Sequence, residues 1–304
     1  MSSIVLDRAA VRVAVDGRSG PKTLLEELSL ELTEPRIGVI GANGSGKSTL
    51  LRLLNGLVAP SSGAVTVDGW DTVRSVRDVR RRVGFVFTDP LSQLVMPTGR
   101  EDVELSLRRS VRNARERRAK AERALDRFGL LASADQSIYE LSGGERQLLA
   151  LTAVLAVDPD VLVLDEPSTL LDLRNRELLR RTLAGLSQQV ILSTHDLELV
   201  RDLDRVLVVD AGAVVFDGLP AAAVDYYREL CAAGLSGSDT RSGSGRGSNP
   251  GSGPGSGRPP RDGMKPDDPK PTYPGSTDSG STGPVAKDPY PADPASTESR
   301  LGRR

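Results

Sequence analysis

The sequence predicts an α/β fold with a buried parallel sheet at its centre, an antiparallel layer near its amino terminus and a helical portion between. Three observations carry this. Residues 36–40, 161–164, 190–193 and 205–209 are short, almost continuous apolar runs, as expected of strands covered by helices on both faces. Residues 4–6, 11–15 and 64–67 look like a more antiparallel layer, the last followed by the turn pair Asp68-Gly69. Between about Pro90 and Tyr139 the pattern becomes helical, with residues 101–107 and 112–128 rich in Arg, Glu, Ala and Leu.

Composition narrows the class. The chain has 304 residues, of which 3% are aromatic, so its core must be built from Leu, Val, Ile and Ala. A net charge of -1 gives no electrostatic reason to expect nucleic acid or an anionic surface as partner. Cys231 is alone and cannot close an internal disulfide, which suits a reducing compartment. No run approaches the roughly 20 apolar residues that cross a bilayer. The first eight residues reach charge too early for a signal peptide. The expectation is a soluble chain, or one held to a membrane by another subunit.

Composition also divides the chain. Residues 1–234 carry the strand and helix patterns. From 235 to 304 Gly, Ser, Pro and Asp dominate, and such a segment buries too little apolar surface to offset its ordering entropy. This tail is expected to be disordered, a solvated extension rather than a docking arm. The basic stretch from Arg108 to Arg123 could suggest an RNA-binding helix. Interleaved Glu116 and Glu122, the lack of aromatics for stacking, and an apolar side of Val103, Leu105, Leu107 and Leu125 favour a solvated helical face.

Three clusters carry chemistry. Gly41-Ala42-Asn43-Gly44-Ser45-Gly46-Lys47-Ser48-Thr49 follows a strand and precedes a helical run at 50–57, the context in which such a loop cradles phosphate. Its glycines let successive N–H groups converge on an anion, and the helix start adds partial positive charge. Lys47 is placed to reach the β- and γ-phosphates and Ser48 to ligate Mg²⁺. Asp165 and Glu166 end the run Val161-Leu162-Val163-Leu164, so both carboxylates stand at the carboxyl end of a buried strand. There Asp165 can hold Mg²⁺ through water and Glu166 can polarise an attacking water. A helix N-cap with two surface acids is the other reading, which so apolar a strand disfavours. His195, the single histidine, also ends a strand. A lone histidine is more often structural, but its place after the acid pair favours a γ-phosphate sensor.

Leu141-Ser142-Gly143-Gly144-Glu145-Arg146-Gln147 resembles the signature sequence of the ABC ATPase family, and the motif order matches over residues 3–218. The resemblance implies a P-loop NTPase with a RecA-like parallel core and a helical subdomain at about 90–158, using ATP and Mg²⁺. It implies that Ser142, Gly143 and Gly144 bind the γ-phosphate of ATP held by another subunit, so that ATP joins two protomers. Lys47 resembles the Walker A lysine, Asp165 and Glu166 the Walker B pair, Leu171-Asp172 the D-loop, and His195 the switch histidine. Two positions depart from the pattern. No Phe, Tyr or Trp precedes Trp70, so Val13 or Val15 must supply the wall for adenine, and preference for ATP over GTP is open. Thr88 stands where the family has a Mg²⁺-contacting Gln, and would reach the ion through water.

Residues 87–98 followed by Glu101-Asp102-Val103 resemble the ATPases of energy-coupling-factor importers, which take up vitamins and transition metals such as biotin, cobalt and nickel. That likeness implies a transmembrane coupling subunit, a separate substrate-binding membrane subunit, a homodimer or a heterodimer with a related ATPase, and a peripheral place on the cytoplasmic face of the membrane. Leu94 and Met96 would either dock a partner helix or pack in the core. Thr88 inclines the comparison towards biotin-type importers. The alternatives are a soluble ABC ATPase acting on ribosomes or DNA, and a regulatory module without turnover. One cassette without coiled coils argues against the first, and Glu166 with His195 against the second.

Overall fold

The computed structural model describes residues 2–14 and 20–238. The chain divides into units of residues 1–245 and 246–304, and everything described lies in the first. Its elements in chain order are β1 (Ile4–Val13), β2 (Lys22–Leu32), β3 (Arg36–Ile40), α1 (Lys47–Leu54), β4 (Ser62–Val67), β5 (Trp70–Asp71) and α2 (Val76–Arg82). There follow β6 (Val83–Val86), α3 (Gly99–Leu107), α4 (Ala114–Arg127), α5 (Gly143–Leu155), β7 (Val161–Asp165) and α6 (Leu173–Ala184). The last are β8 (Gln189–Ser193), α7 (Leu197–Val200), β9 (Arg205–Asp210), β10 (Ala213–Gly218) and α8 (Pro220–Ser238).

Two sheets form, as the sequence predicts. One is antiparallel, in the order β2-β1-β4-β5. The other runs β10-β9-β3-β8-β7-β6, parallel throughout except for its edge strand β10. Buried strands alternate their side chains between two cores. Val161 and Val163 of β7 face Leu50, Leu51 and Leu54 of α1 and the antiparallel layer. Leu162 and Leu164 face Leu148, Leu149 and Leu151 of α5 and its neighbours. Apolar residues on both faces explain why β7 reads as one continuous run.

Four expectations change in detail. The segments 4–6 and 11–15 join into one strand, because register shifts between Leu6 and Arg12 let β1 bend without breaking its pairing; Val15 itself lies outside the described residues. Strand β2 was not anticipated, since its Leu and Glu content favours helix over strand. The helix after the phosphate loop begins at Lys47, so the lysine belongs to its first turn. The expected tail lies outside the described residues apart from 235–238, which complete α8 instead of starting a disordered segment.

Helices α3, α4 and α5 pack on one another and form the helical portion. Thr98 caps α3 by accepting from Glu101 N–H, and Asn113 caps α4 by accepting from Glu116 N–H. Buried Arg100 locks α3 to the segment after α4 through paired bonds to Asp135 of 2.7 and 2.8 Å, and to α4 through a contact with Glu122. Among the described residues no helix is long and apolar enough to cross a membrane.

Arg205 joins the edge of the large sheet to the antiparallel layer. Its guanidinium donates to Asp217 Oδ1 and Oδ2 at 2.7 and 2.6 Å, to Glu31 O at 2.7 Å and to Glu34 at 3.1 Å. Bonding to Asp217 raises its proton affinity above the ordinary arginine value. Arg205→Ala leaves these acceptors without their donor and is expected to cost about 2 kcal/mol of stability. An unchanged urea midpoint would assign the joint to other contacts.

Candidate active site

The phosphate loop follows β3 without slack. Gly41 has φ +149°, and a Cβ there would sit 2.0 Å from Val209 O, so no other residue fits. Gly46, at φ +114°, caps α1 with no side-chain bond, which leaves the first amides of that helix to a ligand. Lys47 Nζ folds back to donate to Gly41 O and Ala42 O at 2.9 and 3.1 Å, and lies 3.8 Å from Glu166 Oε1. Gly44, Gly46, Lys47, Ser48 and Thr49 line a cavity of about 440 Å³ together with Lys22, Thr23, Leu24, Ala211 and Gly212. Asn43 is exposed on the loop and Ser45 is buried beneath it.

Val13 is not part of this wall. Strand β2, the outer strand of its sheet, borders the loop: its Glu26 N–H donates to Gly212 O in the β9–β10 turn, and a Cβ on Gly46 would sit 3.0 Å from Leu24 O. Leu24 and Ala211 are the apolar side chains that line this cavity, and Val15 lies outside the described residues.

The acids lie alongside. Asp165 ends β7 with 1% exposure, and its Oδ1 accepts from Ser48 Oγ at 2.9 Å and Ser193 Oγ at 2.8 Å. Its Oδ2 has no hydrogen-bond partner and lies 3.9 Å from an Arg52 nitrogen. A buried carboxylate oxygen without a donor is costly, of order 1–3 kcal/mol, and beside a serine hydroxyl it makes an all-oxygen set that suits Mg²⁺. Glu166 has φ +52°, a conformation costing a non-glycine about 1–2 kcal/mol. It is held there by N–H donation to Ser193 Oγ and O at 3.0 and 3.2 Å. Its Oε2 meets His195 Nδ1 at 2.7 Å and accepts from His195 N–H at 3.3 Å.

Thr88 follows β6 at the same end of the sheet but is exposed, and no hydrogen bond joins it to Ser48 or Asp165. The two glutamines nearby do a different job. Gln93 accepts from Phe87 N–H and donates to Ala150 O, and Gln147 donates to Phe87 O, fastening the segment before Thr88 to α5.

Lys47, Ser48, Asp165, Glu166 and His195 thus form one site, and Ser142, Gly143 and Gly144 stand apart from it. Ser142 lines a separate cavity of about 480 Å³ with Arg127, Asp172, Arg174 and Asn175. It caps α5 in a capping box: Ser142 Oγ accepts from Glu145 N–H at 3.2 Å, and Glu145 Oε2 accepts from Ser142 N–H at 2.8 Å and Oγ–H at 2.7 Å. The Ser142 hydroxyl, followed by its amide, holds the Glu145 carboxyl below its ordinary value. Asp172 caps the adjacent helix α6. Sequence reasoning missed Ser193 and Arg52 as neighbours of Asp165; the place of Ser193 two residues before His195 was the available signal.

The ABC transporter family pattern matches residues 25–169. The biotin transport ATP-binding protein BioM of Rhizobium etli is 46% identical over 213 residues, 70% of this chain and 95% of that protein. The chain belongs to the ABC transporter ATP-binding family. This ABC ATPase is also 35% identical, over 217 residues, to the energy-coupling factor transporter ATP-binding protein EcfA1 of Latilactobacillus sakei, covering 69% of this chain and 78% of that one. A dimeric ATP-binding cassette in a post-hydrolysis state, bound to ADP and Pi, superposes with a TM-score of 0.65 at 27% identity, covering 71% of this chain and 98% of the other. The ABC ATPase binds and hydrolyses ATP. Lys47→Ala removes the cationic side chain that the phosphate loop itself contributes to the cavity, which Lys22 also lines. It is expected to weaken ATP binding about 100-fold, in line with a charge-assisted contact worth roughly 3 kcal/mol. Undiminished affinity in a fluorescent-nucleotide titration would place the phosphates elsewhere.

Proposed function

We propose that this ABC ATPase is the ATP-hydrolysing subunit of an importer of the energy-coupling-factor type, driving uptake of a vitamin or transition metal, with biotin favoured over cobalt or nickel. The observation that carries the reading is the likeness to a biotin transport ATP-binding protein along 95% of that protein's length. The alternative of a soluble ATPase acting on ribosomes or DNA has no comparable support.

In this reading the amides from Gly44 to Ser48 cradle the phosphates and Lys47 leaves the loop carbonyls to neutralise them. Ser48 and Asp165 are the residues that would hold Mg²⁺, with Thr88 reaching it through water. Bound there, Mg²⁺ supplies positive charge against the phosphate oxygens. Glu166 takes a proton from the attacking water, and His195 orients that carboxylate through the 2.7 Å contact. The site is closed by Ser142, Gly143 and Gly144 of a second copy or of a related ATPase, since within one chain Ser142 lines a different cavity.

The partner would be a transmembrane coupling subunit working with a substrate-binding membrane subunit, keeping the ATPase on the cytoplasmic face of the membrane. An apolar groove of about 360 Å³ lined by Leu57, Phe85, Phe87, Val154 and Val157 has the character needed to receive a helix. Leu94 is buried in the core, the second of the two roles weighed for it, so docking would fall to half-buried Met96 and to Val95, which is 70% exposed.

Glu166→Gln is expected to bind ATP and remain a dimer without turnover; light scattering that shows monomers with ATP counts against the shared site. His195→Ala should keep ATP affinity and lose about 100-fold in kcat, and an unaltered rate would reduce the histidine to a bystander. A native pull-down should recover membrane proteins. Recovery of ribosomes or DNA in their place would overturn the importer reading.

A further inference from the structure

We propose that Ser193 is a positioning residue for the hydrolytic site, setting the orientation of the Asp165 carboxylate and of the Glu166 backbone together. The inference rests on the reading that Asp165 holds Mg²⁺ and Glu166 acts on water.

Ser193 is the last residue of β8 and is 0% exposed. Parallel pairing of β7 with β8 sets Asp165 opposite Ser193, and this register brings its hydroxyl within reach of both acids. The hydroxyl is used twice. Its proton goes to Asp165 Oδ1 at 2.8 Å, and its oxygen accepts Glu166 N–H at 3.0 Å.

Each bond has a distinct consequence. With Ser48 also donating to Oδ1 at 2.9 Å, that oxygen is supplied by two hydroxyls, and Oδ2 is the oxygen left without a hydrogen bond for a cation. Without Ser193 the carboxylate keeps one hydrogen bond, from Ser48, besides the 3.9 Å approach of Arg52, and is freer to rotate. The second bond supports Glu166 in its left-handed conformation, where Ser193 O accepts the same N–H over a longer 3.2 Å. Two residues further on, His195 grips Glu166 Oε2 from the same strand end. The segment 193–195 therefore fixes the peptide and the carboxylate of Glu166 and one oxygen of Asp165. A serine kept only for packing needs neither bond.

The test compares full-length Ser193→Ala, Ser193→Cys and Ser193→Thr with the wild type. Two quantities are read: kcat and KM for ATP, and the ratio of fluorescent-ATP affinities measured with Mg²⁺ and with EDTA. The Ala and Cys variants are expected to lose about 10-fold in kcat with KM changed less than about twofold, and to lose most of the Mg²⁺ enhancement of binding. The Thr variant, which keeps the hydroxyl, should recover both. Wild-type kcat and Mg²⁺ enhancement in the Ala variant overturn the proposal, as does a Thr variant as impaired as Ala. If the Ala variant fails to fold, the Cys variant, which preserves volume, decides the question in its place. If wild-type affinity ignores Mg²⁺, the metal reading falls, and the kcat comparison alone decides for or against Ser193.

Discussion

A carboxylate with almost no solvent contact, standing at the end of a wholly apolar strand, is the constraint around which the rest of the site is arranged. Burying Asp165 in this way is unfavourable unless its oxygens find donors or a cation. The neighbours answer that requirement from two elements: Ser48 and the more distant Arg52 from α1, and Ser193 from β8. Because α1 begins at Lys47, the helix that presents the phosphate cradle also delivers the hydroxyl to the acid. The strand order places β7 beside β8 and β8 beside β3, so the loop, the acids and the histidine converge at one end of the sheet.

The same arrangement explains which parts of the molecule were legible in the sequence. The phosphate loop, the acid pair and the serine-glycine signature each need specific residue types at consecutive positions, so their chemistry is written locally. Strands β3, β7, β8 and β9 lie inside the sheet, and burial on both faces gives them unbroken apolar runs. Strands β2, β6 and β10 lie at sheet edges, where no such run is required. Strand β2 in particular mixes leucine with glutamate and pairs through its backbone despite a composition that favours helix.

Properties that depend on register were hidden. The pairing of Asp165 with Ser193 follows from how β7 and β8 align, and its one trace along the chain was the place of Ser193 two residues before His195. The wall for a base was sought on Val13 or Val15; Leu24 and Ala211 line the cavity beside the phosphate loop, and Val15 lies outside the described residues. Leu94 looked equally suited to a partner or to the core. The core took it, and left Val95 outside.

The capping box of α5 has a consequence for the start of that helix. One carboxylate, Glu145, already engages both the amide and the hydroxyl of Ser142. The helix terminus thus comes with its own resident anion. A phosphate arriving there would compete with that carboxylate for the Ser142 hydroxyl, and its gain at that hydroxyl would be the difference between two negative groups, a smaller attraction than an uncovered terminus would exert.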